Sequence, residues 1–312
     1  MVKKPKQIDF RAKAASLVRV VTAVEPLTTL IVANPQGMGP MVLSCPHAGR
    51  FYPPELLRMS SRSLDDLRQL EDAHMDALVL AAAAPDMPAV LAGHARAWLD
   101  LNRHPEEIDP AMIDPFPPPS GRHSSARIAA GLGLLPSRVS GRPVYATRIP
   151  AAALRHRIDT VHSPYHETVE TLLARARDRH GYAVLVDCHS MPSLPRDRSG
   201  NQTARIVIGD RFGTSAHPSI TLMLEEALQD AGFTTIRNKP YAGGYIVERH
   251  GMPAARIHAI QIEVDRALYL DQDGMALSAA SNAVAGRLAS AIGDFRDMVL
   301  ARLGPLRAEA AE

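Results

Sequence analysis

Short, unbroken apolar runs alternate along this chain with longer segments that carry a helical pattern. The apolar runs are 40–45, 182–187, 204–210 and Ile257–Asp265, and helical patterns cover 63–84, Ser163–His180, 219–231 and much of 275–303. An apolar run of this length is typical of a strand that is buried on both faces. Strands that alternate with helices need crossover connections, so the sequence predicts an α/β fold around a mostly parallel sheet.

The length of 312 residues allows one large domain or two small ones. We expect a single α/β domain over residues 26–304, between a basic N-terminal tail (1–25) and a short C-terminal tail (305–312). Residues 104–150 carry much of the proline and glycine and show little periodicity. A loop region of that length inside a compact domain is usually functional or disordered.

Charge and cysteine content exclude several classes of protein. The formal net charge is +2, whereas a dedicated nucleic-acid-binding domain is strongly basic. Two cysteines, Cys45 and Cys188, cannot form a disulfide framework, which suggests a reducing cytoplasm. The basic N-terminus lacks a signal-peptide core, and no apolar run approaches the length of a membrane span. We therefore expect a small-molecule partner, without nucleic acid or membrane, and the sequence gives no oligomeric state.

Three of the predicted strands end near a residue that can bind a metal or transfer a proton. The strand 40–45 leads to His47, the strand 182–187 leads to His189, and the run from Ile257 leads to Glu263. Ligands of open α/β sheets bind beyond the carboxyl ends of the strands. Two histidines, a carboxylate and an open position for water form a catalytic zinc site. We expect His47 and His189 to be the first two ligands.

The third ligand should be an acidic residue, and an acidic cluster lies over residues 71–76. Asp72 is the best candidate, and its neighbours Glu71 and Asp76 compete with it. A solvated helix face is the alternative interpretation of the same cluster. No serine-nucleophile, phosphate-loop or dinucleotide motif is present in the sequence.

Three further features suggest pocket residues. Asn102 and Arg103 follow an apolar stretch, and the guanidinium fork of an arginine is suited to holding a carboxylate. His166 begins an HExx pattern whose fifth position is Glu170 instead of histidine, so the zincin motif fails and His166 is either a pocket residue or a structural one. Cys188 adjoins His189, but neighbours on a strand point to opposite faces, so Cys188 is interpreted as a small buried residue.

A family resemblance spans about residues 40–272. The segments that carry it, in chain order, are SCPHAGRFYP, LEDAHMDALV, WLDLNR, GLGLLP, GRPVY, HSPYH, LVDCHSMP, IGDRFG, PYAGGYIVERHG and IQIEVDRALYLD. Together they resemble the N-formylglutamate amidohydrolase (N-formylglutamate deformylase) family, which is similar in fold to zinc carboxypeptidases and aspartoacylases. DCHSMP combined with IQIEVDRALYLD is the specific part.

The resemblance implies a three-layer α/β/α domain around a mixed sheet, with a hydrolytic zinc site. His47, Asp72 and His189 would bind Zn²⁺ or another divalent metal, although Ala48 stands where the family usually has serine. Glu263 falls at the position of the general base, and Asn102 with Arg103 matches the motif that holds a substrate carboxylate.

Substrate charge adds a further requirement. The glutamate product carries two carboxylates, so a second cation is needed besides Arg103. The arginines Arg148, Arg157 and Arg249 are the candidates, of which Arg157 and Arg249 are counted with His166 as substrate-binding residues.

Three functional hypotheses follow. The first is a cytoplasmic zinc amidohydrolase that cleaves N-formyl-L-glutamate to formate and L-glutamate in histidine degradation. The second is the same chemistry on another N-acyl amino acid or a small peptide. The third is a non-catalytic carboxylate-binding protein, against which the presence of Glu263 and both histidines argues.

Overall fold

The structure is a computed structural model that describes residues 30–115, 126–196 and 204–303. The expected tails, 1–25 and 305–312, lie outside the described residues. The described residues form one main sheet with an apolar core on each face, and two short two-stranded sheets. On that basis we propose the single domain over 26–304 that the sequence suggested.

The elements are given in chain order. The strands are β1 (Leu30–Ala33), β2 (Met41–Cys45), β3 (Ala89–Ala92), β4 (Ile113–Asp114), β5 (Arg138–Val139), β6 (Arg142–Pro143), β7 (Ile149–Pro150), β8 (Ala183–Met191), β9 (Ile206–Gly209), β10 (Thr235–Arg237) and β11 (Ile257–Asp265). The α-helices are α1 (Pro54–Met59), α2 (Leu64–Arg68), α3 (Met75–Ala82), α4 (Ala126–Ala129), α5 (Ala151–Arg157), α6 (Ser163–His180), α7 (Pro218–Asp230), α8 (Tyr245–His250) and α9 (Ser281–Leu303). Short 3₁₀ turns occupy Pro110–Met112, Pro253–Ala255 and Arg266–Leu268, and a π-helical turn, Ile158–His162, joins α5 to α6.

The main sheet has seven strands in the order β1-β3-β2-β8-β11-β9-β10. The pairs β3–β2, β2–β8, β8–β11 and β9–β10 are parallel. The pairs β1–β3 and β11–β9 are antiparallel. The predicted mixed, mostly parallel sheet is confirmed.

Helices cover both faces of this sheet, which gives three layers. On one face α3, α7 and α9 bury residues such as Leu78, Leu224 and Leu288. On the other face α6 and α8 bury Tyr165 and Ile246 against the sheet. Because both faces are covered, every residue of β2, β8 and β11 is buried, which explains why these strands read as continuous apolar runs.

The single helix predicted over 63–84 is wrong, because the structure has two helices, α2 and α3, with an irregular segment between them. Ser63 and Asp66 form the expected capping box, which confirms the predicted start of the helix. After Arg68 the backbone leaves the helix, and His74 adopts a left-handed conformation with φ 58°. Tertiary hydrogen bonds satisfy the backbone of this segment: the Asp72 N–H donates to the His47 carbonyl at 2.9 Å.

Candidate metal centre

Strand register brings the three strand-end residues of the sequence analysis to one edge of the sheet. In the parallel pair β8–β11, Glu263 lies directly opposite His189. In the pair β2–β8, Ser44 lies opposite Asp187, so His47 follows just beyond the end of β2. Side chains alternate along a strand, and Asp187, His189 and Glu263 therefore share the face that carries α6 and α8.

His47, Asp72 and His189 converge on one point, and the ligand atoms of the three buried side chains lie within 4.8 Å of one another. The Nδ1 atoms of the two histidines are 3.1 Å apart. Asp72 Oδ2 lies 3.2 Å from His189 Nδ1 and 3.4 Å from His47 Nδ1. This group of three residues could hold a metal ion, and we call it the metal group.

The opposite nitrogen of each imidazole donates to a buried carboxylate. His47 Nε2 lies 2.7 Å from Asp100 Oδ1, and His189 Nε2 lies 2.8 Å from Asp187 Oδ2. Because an ionised carboxylate only accepts hydrogen bonds, both Nε2 atoms carry a proton. This arrangement fixes each ring and directs Nδ1 at the metal group, as carboxylates do for metal-bound histidines.

The carboxylates around the metal group favour a positive charge at its centre. Burial by itself disfavours protonation of His189, but the charges and hydrogen bonds of Asp187 and Asp72 outweigh it and raise the pKa of His189 well above its usual value. Burial would also raise the pKa of Asp72, yet its hydrogen bonds to His189 and His47 hold that pKa well below the usual value. A positive charge is therefore stable here, and two imidazole nitrogens with one carboxylate oxygen are ligands that suit Zn²⁺.

Asp72 is the acidic residue that the structure brings to the histidines, and the two competitors lie elsewhere. Glu71 accepts a hydrogen bond from the Tyr52 hydroxyl at 2.5 Å. Asp76 pairs with Arg50. Asp72 can contribute because the break between α2 and α3 turns its side chain inward, where it is 2% exposed.

Glu263 lies beside the metal group, and the structure leaves it poised between its two protonation states. Gln261, two residues earlier on the same face of β11, donates from Nε2 to Glu263 Oε1 at 2.8 Å. Burial raises the pKa of Glu263 to about 8, although the charge of His189 opposes the shift. A carboxyl group with a pKa near neutrality can accept a proton and release it again.

Asn102 and Arg103 reach the same edge of the sheet. Asn102 Nδ2 lies 3.2 Å from His189 Nε2, and its Oδ1 accepts the Ile246 N–H at 2.8 Å. That approach needs Gly244, because a Cβ atom there would come within 2.4 Å of the Asn102 amide. Arg103 is 8% exposed and donates from Nε to the Leu132 carbonyl at 2.7 Å.

His166 belongs to a buried group of three rings, His162, His166 and His250, which we call the histidine cluster. His166 Nε2 lies 3.0 Å from the Leu101 carbonyl, and its Nδ1 lies 3.0 Å from His250 Nε2. His162 Nε2 reaches the Arg103 carbonyl at 3.0 Å. Both nitrogens of His166 are engaged, and one of them supports the segment 101–103. The substrate contact expected for His166 stays a prediction.

The arginines expected to bind substrate occupy different environments. Arg157 is completely buried, with its guanidinium 3.4 Å from the centre of the Trp98 ring and hydrogen bonds to the Trp98 carbonyl and the Tyr145 hydroxyl. These contacts support a structural role, and the substrate-binding role expected for Arg157 stays a prediction. Arg249 donates to Tyr245 Oη at 3.1 Å, and its substrate-binding role stays a prediction.

Four residues near the metal group were missed by the sequence analysis: Asp100, Asp187, Arg96 and Arg266. Asp187 stands two residues before His189, so strand alternation could have assigned both to one face. Arg96 donates from Nε to Asp100 Oδ2 at 2.8 Å. Its charge also opposes the rise in the pKa of Glu263. The sequence gives no comparable signal for Arg96 or Arg266, because an isolated arginine near a motif is common.

Comparison with known proteins agrees with this site. The sequence profile of the N-formylglutamate amidohydrolase family matches residues 39–270. The chain belongs to this family. It is 29% identical over 249 residues to N-formylglutamate deformylase of Pseudomonas aeruginosa, covering 78% of this chain and 86% of that protein. It is 30% identical over 247 residues to N-formylglutamate deformylase of Pseudomonas putida, covering 76% of this chain and 84% of that protein.

A solved structure supports the same conclusion. The crystal structure of N-formylglutamate amidohydrolase from Ralstonia eutropha JMP134 matches 88% of this chain and 99% of its own, with a TM-score of 0.79 and 30% identity. These relatives support an amidohydrolase activity. In the part of the chain that the structure describes, no helix is both long and apolar enough to span a membrane.

Proposed function

We propose that this protein is a zinc-dependent amidohydrolase that cleaves N-formyl-L-glutamate to formate and L-glutamate. The observation that carries the proposal is the convergence of His47 Nδ1, His189 Nδ1 and Asp72 Oδ2 beside a buried Glu263. The substrate follows from the relatives, which bear the name N-formylglutamate deformylase. With it we retain the role suggested by the sequence, the last step of a histidine-degradation route in the cytoplasm.

His47, Asp72 and His189 would hold the zinc ion. Bound Zn²⁺ lowers the pKa of a coordinated water from 15.7 to about 7 and polarises a carbonyl oxygen. Asp100 and Asp187 keep the two imidazoles in the tautomer that presents Nδ1. The two aspartates are therefore part of the site, although neither would be a ligand of the ion.

Glu263 moves the proton. Its carboxylate takes one proton from the attacking water as the new C–O bond forms at the formyl carbon. The same carboxyl group then gives that proton to the amide nitrogen as the C–N bond breaks, which releases formate and the amine of glutamate. Positive charge next to a carboxyl group lowers its pKa, so Glu263 would start as the carboxylate when the site is loaded.

Arg96 and Arg103 bring positive charge to the same carboxylate oxygen of Asp100. Arg96 Nε lies 2.8 Å and Arg103 Nε 3.9 Å from Asp100 Oδ2. Two nitrogens of Arg103 are held by backbone carbonyls, which leaves Nη2 as the group that we expect to reach a substrate carboxylate. We assign Arg96 the stabilisation of negative charge that develops on the formyl oxygen, because its contact with Asp100, which in turn holds His47, brings a positive charge close to the metal group.

A substrate panel with matched metal analysis tests the proposal. Zinc content is measured on the purified protein, and hydrolysis is compared for N-formyl-glutamate, N-formyl-aspartate, N-acetyl-glutamate and N-succinyl-glutamate. We expect one bound zinc and the highest kcat/KM for N-formyl-glutamate. A preference for another acyl group would reassign the substrate, and turnover without any bound metal would overturn the mechanism.

A further inference from the structure

Arg266 ties three parts of the fold together next to the metal group. It starts the 3₁₀ turn that follows β11, and its side chain is 26% exposed. Its Nη2 donates to Asp72 Oδ1 at 3.0 Å and to the Glu71 carbonyl at 2.8 Å. Its Nε donates to Ser190 Oγ at 3.0 Å. One guanidinium therefore joins the end of β11, the end of β8 and the break between α2 and α3.

The two oxygens of Asp72 have different partners. Arg266 binds Oδ1, and Oδ2 faces the histidines. Ser190 Oγ donates to the same Oδ1 atom at 3.1 Å, so that oxygen accepts two hydrogen bonds. Arg266, Ser190 and Asp72 form a closed triangle that fixes the rotation of the carboxylate. Oδ2 is the atom that faces His47 and His189.

The positive charge of Arg266 lies next to Asp72, a residue of the metal group, and has two opposing effects on metal affinity. A cation in contact with a metal ligand repels a metal ion, so its charge alone would weaken metal binding. Support of a ligand by outer partners acts in the opposite direction and is worth about 10–100-fold in metal affinity. Arg266 also holds the Glu71 carbonyl and so stabilises the break between α2 and α3 that brings Asp72 to the site. We therefore expect its support of Asp72 to outweigh the repulsion between its charge and the metal ion.

We propose that Arg266, together with Ser190, is a positioning residue that holds Asp72 as a one-oxygen ligand of the metal group. The inference rests on the proposed metal-dependent function. It goes further by naming the residue that keeps the carboxylate from taking up the ion with both oxygens, and so keeps a coordination position open. Arg266 acts through Asp72 and not on the substrate.

The test compares metal affinity among variants of the full chain. The protein is stripped with a chelator, and Zn²⁺ is titrated in competition with a chromophoric chelator. We expect R266M to bind Zn²⁺ about 10–100-fold more weakly than the wild type. R266K keeps the charge, but a lysine lacks the planar guanidinium that donates to both Ser190 and Asp72. We therefore expect R266K to bind Zn²⁺ more weakly as well. S190A should show a smaller loss in the same direction.

Arg205 is the matched control. Its side chain is also 26% exposed, and its Nη1 lies 3.2 Å from Oδ2 of a buried aspartate, Asp265, which is outside the metal group. R205M removes an ion pair to a buried aspartate that is not a metal-group residue, and we expect its metal affinity to equal that of the wild type. Thermal unfolding of each metal-free variant separates a general loss of stability from a specific loss of affinity.

The visible spectrum of Co²⁺-loaded protein provides a second readout, because its intensity depends on coordination number. We expect a changed spectrum in R266M and an unchanged one in R205M. Equal or tighter Zn²⁺ binding by R266M, with the wild-type Co²⁺ spectrum, would overturn the inference and leave the proposed function intact. A wild-type protein that binds no Zn²⁺ would overturn the proposed function itself.

Discussion

The histidine cluster should make the protein lose stability in mild acid, and His250 allows the effect to be measured for one group. His250 is 3% exposed, and burial, followed by the charges of Arg249 and His162, lowers its pKa to about 3. An unperturbed histidine, as in an unfolded chain, has a pKa of about 6.5. A histidine with a lowered pKa in the folded state contributes stability that is lost as the pH falls below the unfolded value.

The size of the loss follows from these two pKa values. Between pH 6.5 and pH 3 the unfolded chain binds a proton at this position and the folded chain does not. Each pH unit in that window costs about 1.4 kcal/mol, so acidification from pH 7 to pH 5 should remove about 2 kcal/mol through His250 alone. His162, with a pKa lowered to about 4 mainly by burial, adds a loss in the same direction.

The assay is urea unfolding of the metal-free protein at several pH values between 5 and 7.5, for the wild type and for H250Q. The glutamine side chain can still donate to His166 but cannot titrate. We expect the free energy of unfolding of the wild type to fall by about 2 kcal/mol more than that of H250Q over this range. Parallel pH profiles for the two proteins would refute the assignment of His250 as a buried neutral histidine.

Three further predictions concern single side chains. E263Q should bind Zn²⁺ like the wild type while kcat falls by about 10²–10⁴-fold, measured by formate release, and undiminished turnover would remove Glu263 from the mechanism. H189A should lose metal uptake and turnover together, which metal analysis and activity measured on one sample can check. R157M should lower the free energy of unfolding by about 1–3 kcal/mol, because it removes the Arg157 donor from the Trp98 carbonyl and the Tyr145 hydroxyl. It should leave KM unchanged, and a raised KM would support a substrate-binding role for Arg157.

Much of the architecture was readable from the sequence because the sheet is buried on both faces. β2, β8 and β11 have unbroken apolar runs, and the rule that ligands bind beyond the carboxyl ends of strands indicates His47, His189 and Glu263 from the sequence alone. The helix over Ser163–His180 was equally clear, since it begins at Ser163-Pro164 and ends at Gly181 with φ 81°.

The failures have a common physical cause, which is that long-range contacts decided the local structure. The pattern over 63–84 favours one helix. In the structure the Asp72 N–H donates to the His47 carbonyl and the Glu71 carbonyl accepts from Arg266, and the helix is interrupted there. The stacking of Arg157 on Trp98 is also a long-range contact, and nothing in the sequence indicates it. Neither contact lies within one element, so periodicity and spacing carry no information about it.

The alternation of side chains along β2 and β8 also determines how the two thiols behave. Cys45 and Cys188 are the only cysteines of the chain, and both are buried in the core on the face opposite the metal group. Burial raises the pKa of each thiol well above its usual value, so neither forms the reactive thiolate readily. A reporter cysteine introduced at the surface could therefore be labelled with a maleimide dye while the native sulfur atoms stay unmodified.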